Sequence, residues 1–170
     1  DTKQKFLSSN KKSMLTQIIT AWFYGHIIEY LTHRYVLHNW KIKTPFKNHF
    51  GNHHRVCRKT SFHDKRYRKI LSRDSLFEIG TLSFLALSHI PLWFFFPWAY
   101  AMLCWSILWY YIIHRKMHLD PIWAAKWIPW HYEHHMGKNQ HDWWGVRLPI
   151  IDACVKVSNL LWNKLFKRHI

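Results

Sequence analysis

The chain has 170 residues, a length that suits one domain. Hydrophobic residues make up 49% and aromatic residues 18% of it, yet the formal net charge is +16. A soluble domain of this size has too little core for so many Trp and Phe side chains, whereas a membrane protein with basic polar segments accommodates both features. Cys57, Cys104 and Cys154 lie far apart, which argues against a disulfide framework and against a thiolate zinc site.

Three apolar stretches are predicted to be transmembrane helices, over about residues 14–32, 76–92 and 97–114. The first is long enough to cross a bilayer, which takes roughly 20 residues. Pro91 and Pro97 divide the apolar sequence between 76 and 114 into two helices joined by a tight, aromatic-rich turn. The sequence therefore predicts a single all-α, multi-pass membrane domain over residues 1–170.

The distribution of Lys and Arg predicts the orientation in the membrane. Eleven of them lie between residues 39 and 75 and nine after residue 114, against four before residue 14. The positive-inside tendency assigns both basic regions to the cytoplasmic side, which means the endoplasmic reticulum in a eukaryote or the inner membrane in a bacterium. Three crossings leave the N-terminus on the other side, which suggests a further helix upstream. An amphipathic interfacial helix is predicted over about 155–168, with Val157, Leu160, Leu161 and Leu165 on one face.

Ten of the fifteen histidines fall into four groups along the chain. The groups are His33 and His38; His49, His53 and His54; His114 and His118; and His131, His134 and His135. Histidines three or four positions apart share one face of a helix. His33 and His38 are five apart, so they are expected to straddle a helix end or a local distortion. All four groups adjoin the cytoplasmic ends of the predicted spans, where they can converge into a helical cap.

Ten gathered imidazoles would repel one another if charged, and they would be costly to bury without partners. Metal ligation removes both problems, because a neutral imidazole offers one nitrogen to the metal while the other hydrogen-bonds outward. Ten donors are too many for a tetrahedral zinc ion, which takes four. Shared between two metals they give about five each. Imidazole suits Fe, Zn, Cu and Ni, and the high ligand number favours a two-iron site.

The series HxxxxH, HxxxHH, HxxxH and HxxHH on a short multi-span chain resembles the membrane fatty acid hydroxylase superfamily, which includes sterol desaturases and hydroxylases, fatty acid hydroxylases and beta-carotene hydroxylases. The resemblance covers roughly residues 26–154 and extends to "GVRLPIID" (145–152), which is similar to the superfamily's Gly-Val-x-x-Pro-x-x-Asp tail. The second box has one residue more than the usual HxxHH and resembles that of membrane alkane hydroxylases. The segment "DWWG" stands where an Asn-aromatic-Gly sequence is common.

The resemblance implies a transmembrane stem and a cap with two irons, which use dioxygen to hydroxylate an unactivated C–H bond of a fatty acyl, sterol or carotenoid lipid. Desaturation at the same site remains an alternative, as does non-catalytic metal binding. Transporters place their ligands near the membrane midplane, so boxes at span ends argue against metal transport. An external electron donor such as cytochrome b5 or ferredoxin is expected, since the chain has no dinucleotide fingerprint and no haem motif.

No nucleic-acid-binding motif accompanies the basic run 58–69, and no nucleic-acid partner is expected.

Several residues outside the boxes allow two interpretations. Glu29 lies one turn before His33 and either orients that ring or caps the polar end of the span. Asp142 and Asp152 either support the metal ligands or cap local backbone, and Glu133 is expected to face away from the metals. The aromatic run "PLWFFFPW" (91–98), together with Trp105, Trp109, Tyr110 and Tyr111, either lines an acyl channel or serves as an interfacial belt or in helix packing, and the second interpretation is favoured.

Overall fold

All the regular structure in the described part of the chain is helical, as predicted. A computed structural model describes the backbone of residues 2–166 and the side chains of 10–72 and 75–164, and it contains no strand between residues 2 and 166. The α-helices are α1 (Thr2–Thr32), α2 (Lys43–Asn48), α3 (Arg55–Lys59), α4 (Arg73–Ser88), α5 (Pro91–Phe95), α6 (Pro97–Leu119), α7 (Pro121–Trp127), α8 (Pro129–Met136) and α9 (Ile150–Phe166). Two π-helical segments, His33–Leu37 and His49–His54, and a 3₁₀-helix, Lys65–Arg68, complete the fold.

Proline determines where four consecutive helices begin. Pro91, Pro97, Pro121 and Pro129 each occupy the first turn of their helix, where the missing N–H costs no helical hydrogen bond and the fixed φ favours helical geometry. The predicted break between the second and third apolar stretches is therefore confirmed, although the short helix α5 stands within it. Side chains add further caps, as where Asp120 accepts a hydrogen bond from the Trp123 N–H (3.1 Å).

The stem consists of α1, α4, α5 and α6. Helix α1 packs along α6, and α4 packs against α6 on another side. All three predicted spans are helical, but within residues 2–166 only Ser75–Phe95 is long and apolar enough to cross a membrane by length and composition. The first and third predicted spans contain more polar atoms. Those of α1 come from Gln17, His26 and Glu29, and those of α6 come from its many Trp and Tyr rings. Large apolar side chains nevertheless cover the outside of the stem, and Phe84, Phe94 and Phe95 are each more than 70% exposed.

A cap of short helices sits at one end of the stem and contains the apolar core. Its buried members are Cys57, Phe62, Met117, Ala124, Ile128 and Val146. The Phe62 ring lies 4.5 Å from the His118 ring, measured between centroids. This core therefore backs directly onto the histidines and holds their helices in place.

The segment between α8 and α9 is tied down by two buried carboxylates. Glu29 accepts hydrogen bonds from the backbone N–H groups of Val146 and Arg147 and from Arg147 Nε (2.6 Å). Asp152 accepts from the N–H groups of Trp144 and Gly145, each at 2.8 Å. Both residues therefore cap backbone, and Glu29 anchors the GVRLPIID tail to α1 instead of orienting His33.

Helix α9 follows this tail and packs against α1. It begins at Ile150, five residues before the predicted start, because Asp152 draws the preceding loop onto its first turn. Val157, Leu160 and Leu161 are all more than half exposed, as expected for a helix that lies on an apolar surface. The side chain of Leu165 and residues 167–168 of the predicted helix lie outside the described residues.

Replacing Gly145 with Ala should destabilise the fold. A Cβ at this position would overlap the Leu148 carbonyl oxygen and lie 3.1 Å from Pro149 Cα, so the backbone that Asp152 holds must shift. We expect a loss of about 1–3 kcal/mol, visible as a lower midpoint of thermal unfolding in detergent. Gly80→Ala is the matched control, because a Cβ there meets nothing within 4 Å and gains helix propensity. Equal midpoints for the two variants would contradict this account of the tail.

Candidate metal centre

Two π-helical segments place five of the box histidines. The segment His33–Leu37 continues α1, and the His38 N–H donates to the His33 carbonyl (3.2 Å), five residues back. That bonding pattern is the i→i+5 pattern of a π-helix, so residues five apart come to nearly the same face. The predicted local distortion between His33 and His38 is confirmed. The second segment, His49–His54, absorbs the additional residue of the HxxxHH box in the same manner.

One group of five buried histidines gathers side chains from both π segments and from α8. Its members, whose donor nitrogens all lie within 4.8 Å of one another, are His33, His38, His49, His54 and His134. We call this set group A. His33 Nε2 lies 2.9 Å from His49 Nε2, and His38 Nε2 lies 3.2 Å from both His54 Nε2 and His134 Nε2. His49, the residue affected by the unusual box spacing, is thus fully inside the group.

A second group lies beside the first and uses α6. Its members are His53, His114, His118 and His135, again with donor nitrogens within 4.8 Å of one another. We call this set group B. His114 and His118, one turn apart on α6, bring their Nε2 atoms to 3.2 Å. Adjacent histidines of one box therefore belong to different groups. His53 and His135 belong to group B, whereas their neighbours His54 and His134 belong to group A.

The tenth box histidine, His131, belongs to neither group by nitrogen spacing but lies between them. Its ring centroid is 4.6 Å from that of His135 and 5.3 Å from that of His114 in group B, and 5.9 Å from that of His134 in group A. It is completely buried, and both of its nitrogens lack a hydrogen-bond partner among the described residues. An orphaned, buried ring at this place fits a ligand role or a bridging contact between the two groups.

The spacing of the inner nitrogens fits a shared metal ion. Two nitrogens bound at about 2.1 Å and at right angles to one ion lie about 3.0 Å apart. The four Nε2–Nε2 distances in groups A and B range from 2.9 to 3.2 Å. Direct hydrogen bonds satisfy only some of these rings, and the inner His53 Nε2 and both nitrogens of His135 have no partner within residues 2–166. The two groups therefore have the donor set and the spacing to hold metal.

The outer nitrogens face hydrogen-bond acceptors. His33 Nδ1 lies 2.7 Å from the Trp144 carbonyl, and His134 Nδ1 lies 2.7 Å from the Asp142 carbonyl. In group B, His114 Nδ1 lies 2.7 Å from Glu78 Oε1. Each acceptor favours the tautomer with hydrogen on Nδ1, which leaves the Nε2 lone pair pointing inward. The surrounding chain thus prepares the rings to donate to a cation.

The backbone of Trp143 lies between two of these acceptors in an uncommon conformation. Its φ of 62° is in the left-handed region, which costs a bulky residue about 1–2 kcal/mol. With this turn, the carbonyls of Asp142 and Trp144 both reach histidines of group A. Asp142 therefore supports the site through its backbone, whereas its predicted role used the carboxylate.

A smaller cluster of His53, Cys57 and Asp64 lies behind group B. Arg66 already donates to both oxygens of Asp64, from Nε at 2.8 Å and from Nη2 at 2.6 Å. Burial alone would raise the pKa of Asp64, but its hydrogen bonds with Arg66 and His53 hold that pKa below its usual range. Burial raises the pKa of the Cys57 thiol, so the thiol stays neutral. This cluster therefore contacts His53 from outside group B, with the Asp64 carboxylate already bound by Arg66.

Burial favours the uncharged form of most of the grouped imidazoles. Desolvation, followed by repulsion from neighbouring rings, lowers the pKa of His38 to about 2, and desolvation lowers that of His134 to about 4. The same two causes bring the pKa of His33, His49, His54, His118, His131 and His135 well below 6.5. Neutral rings are the form that binds a metal.

Sequence reasoning missed the residues that contact the rings from outside. They are Glu78, Asp64 and the Gln140 amide, which lies 3.1 Å from His54 Nδ1, and all three lie outside the boxes in sequence. Of these three residues, Glu78 is the one that the sequence could have indicated, because a lone carboxylate in an apolar stretch is a functional candidate.

Glu133 is exposed, as expected. His89 contacts the Tyr24 hydroxyl (2.9 Å) and lies outside both groups, and His141 is exposed.

No protein-family model, curated protein or solved structure matched this chain. The residues themselves show two adjoining clusters of buried histidines that can hold metal. Carbonyls and carboxylates on the outside hold several of these rings in the ligating tautomer.

Removing one ligand from each group should release one metal ion at a time. His134→Ala takes a donor from group A and His118→Ala takes one from group B. We expect metal analysis of purified protein to give about two ions per chain for the unchanged protein and about one for each variant. His89→Ala, outside both groups, should retain both ions. Loss of both ions or of neither from the two single variants would contradict the division into groups A and B.

Metal-free protein should lose stability as the pH falls. The histidine pKa values are lowered in the folded state, so the unfolded chain binds more protons once the pH drops below about 6.5. The stability is fully present above that pH and falls by up to about 1.4 kcal/mol per pH unit for each such histidine. Helical circular dichroism of chelator-treated protein should therefore collapse between about pH 6.5 and 4, and bound metal should move the collapse to lower pH. Unchanged helicity of the metal-free form at pH 4 would contradict burial of neutral rings.

Proposed function

We propose that this chain is a membrane-bound, di-iron lipid hydroxylase of the membrane fatty acid hydroxylase type. The observation that carries the proposal is one cavity of about 320 Å³ that adjoins both histidine groups. Its wall includes His33 and His49 of group A and His53 and His114 of group B. The rest of the wall is mainly apolar and comes from the stem helices α1, α4 and α6, with members such as Ile28, Leu82, Leu85, Leu103 and Ile107.

The shape and lining of this cavity suit a lipid. An apolar passage between stem helices receives a hydrocarbon chain without leaving polar groups unsatisfied, and its end at the histidines places a C–H bond beside the metal donors. Most of the aromatic run 91–98 is exposed on the outside of the stem, and none of it lines the cavity. This arrangement supports the belt interpretation for the run 91–98, whereas Tyr110, with Phe77 and Tyr67, belongs to the wall of the cavity.

The donor set supports iron. Group A offers five imidazoles, more than a tetrahedral zinc ion takes, and group B offers four with His131 beside them. Two irons held there would supply reductive activation of dioxygen, in which one oxygen atom enters the lipid C–H bond and the other is reduced to water by two external electrons and two protons from solvent. The chain's own residues keep the rings neutral and oriented, and the apolar cavity excludes water from the bound lipid. Cytochrome b5 or ferredoxin is the proposed class of donor.

The proposed setting is a multi-pass membrane protein with the cap on the cytoplasmic side. The exposed apolar side chains of the stem support contact with lipid tails. The basic residues of segments 39–75 and 115–168 support a cap facing anionic headgroups. The tail anchored by Glu29 and Asp152 joins the stem to the cap. The cavity is lined by residues of both the stem and the cap.

Lipid mass spectrometry of cells that express the chain with a competent electron donor tests this function. We expect a hydroxylated lipid that is absent from cells with the His134→Ala variant. Leu82→Trp should also reduce the product several-fold while the protein keeps its iron, because the larger ring fills the cavity away from the ligands. His89→Ala is the control for expression and folding.

A new double bond in place of a hydroxyl group would assign desaturation to the same site. Identical lipid profiles for the unchanged protein and His134→Ala, at full iron loading, would overturn the oxygenase proposal. Anaerobically purified protein that holds a single tetrahedral zinc ion while active would overturn the di-iron proposal.

A further inference from the structure

The cavity has a second polar region, away from the histidines. Ser106 of α6 and Arg147 of the tail both line it. Ser106 lies eight residues before His114 on the same helix, which corresponds to about 12 Å along the helix axis at 1.5 Å per residue. Gly25 lies eight residues before His33 on α1 and lines the cavity at the same level. These three residues therefore mark a place deeper in the stem than the metal groups.

Ser106 presents an unsatisfied hydroxyl to this place. The side chain is 2% exposed, and its Oγ has no hydrogen-bond partner among the described residues. Serine in a helix can donate to a carbonyl of the preceding turn, as the cavity-lining Thr81 does with the Phe77 carbonyl (2.9 Å). A buried hydroxyl without a partner is costly. The Ser106 hydroxyl is thus free to bind a ligand, in contrast to that of Thr81.

Arg147 is held rigidly beside it. The residue is 8% exposed, and its Nε donates to Glu29 Oε2 at 2.6 Å. No other hydrogen bond from this guanidinium occurs within residues 2–166, so its terminal nitrogens keep their donor capacity. A Cβ built on Gly25 would lie 3.5 Å from Arg147 Nη2 and 3.3 Å from Ser106 Oγ. The absence of a side chain at Gly25 therefore leaves a gap between two hydrogen-bonding groups.

The charges around this gap select the kind of oxygen that fits. Glu29 already balances the positive charge of Arg147, so a carboxylate would bring an additional buried negative charge without a free cation to match it. A pure hydrocarbon would leave Ser106 Oγ and the guanidinium nitrogens unsatisfied. An uncharged hydroxyl or carbonyl oxygen satisfies these groups and adds no charge.

We propose that Ser106 and Arg147 form a subsite that hydrogen-bonds a neutral hydroxyl or carbonyl oxygen of a lipid, with Gly25 providing the space. The inference rests on the proposed function in that the same lipid extends from this subsite to the histidine groups. Anchoring the oxygen at the level of Ser106, about 12 Å along the α6 axis from the level of His114, fixes the oxidised carbon by its distance from that oxygen. Substrates that differ only beyond the reactive carbon are oxidised at the same position.

Equilibrium binding of three radiolabelled probes with equal chain length tests the subsite: 1-hexadecanol, palmitate and hexadecane. The protein is iron-loaded, in phosphatidylcholine nanodiscs, without dioxygen or electron donor, so binding is measured without turnover. We expect hexadecanol to bind most tightly. Ser106→Ala should weaken hexadecanol binding about three- to tenfold, the usual effect of one hydrogen bond, and leave hexadecane binding unchanged.

Two further variants keep the outcome interpretable. Thr81→Val removes a hydroxyl from the same cavity, but that hydroxyl serves Phe77, so it should leave the preference for hexadecanol intact. Gly25→Ala puts a methyl group into the gap and should weaken hexadecanol binding even where Ser106 is unchanged. Palmitate binding more tightly than hexadecanol, or Ser106→Ala weakening hexadecane and hexadecanol equally, would overturn the subsite.

The binding assay separates the subsite from the proposed function. The expected binding preferences support the subsite even if no oxidised lipid is found in cells, a result that would remove the hydroxylase proposal alone. If the protein forms oxidised lipid but the Ser106→Ala and Gly25→Ala variants bind the probes as the unchanged protein does, the subsite proposal is wrong and the hydroxylase proposal stands.

Discussion

Burial of neutral imidazoles is the constraint on which the rest of this structure depends. The ten box histidines are all under 9% exposed, and charged rings at such spacing would repel one another. The fold meets this constraint from outside, with the carbonyls of Trp144, Asp142 and Phe62 and the carboxylate of Glu78 placed at outer ring nitrogens. The inner nitrogens then face one another, and a cation is the partner that satisfies many of them together.

The connection between stem and cap follows from the same constraint. Histidines on the two π segments, α6 and α8 meet only if those elements hold a fixed relative position. Glu29 and Asp152 provide this by binding the backbone of residues 144–147 from two helices. The carbonyl of Trp144, which orients His33, belongs to the same short segment. Anchoring the tail and orienting a metal donor are therefore one structural function.

The helices could be predicted because their signals are local, and the convergence of the boxes could be predicted because all four adjoin ends of the predicted spans. Apolar runs, proline at helix starts and three- or four-residue spacing are all read over one or two turns, as for His114 and His118 on α6. The contacts of Glu78, Asp64 and Gln140 could not be predicted, because each depends on how distant segments pack. For Glu29 the sequence left open whether it orients His33 or caps the span, and the fold uses it for backbone N–H groups. Asp142 was one of two candidate supports for the ligands, and it contacts His134 through its carbonyl.

The π-helical segments have a consequence for how such a site changes during evolution. Inserting one residue into a regular helix rotates everything beyond it by about 100°, which would turn a ligand away. A π-helical turn takes up an additional residue locally, so His49 and His54, five residues apart, lie in one group. A one-residue change in the interval between two histidines can therefore leave the positions of their donor atoms unchanged.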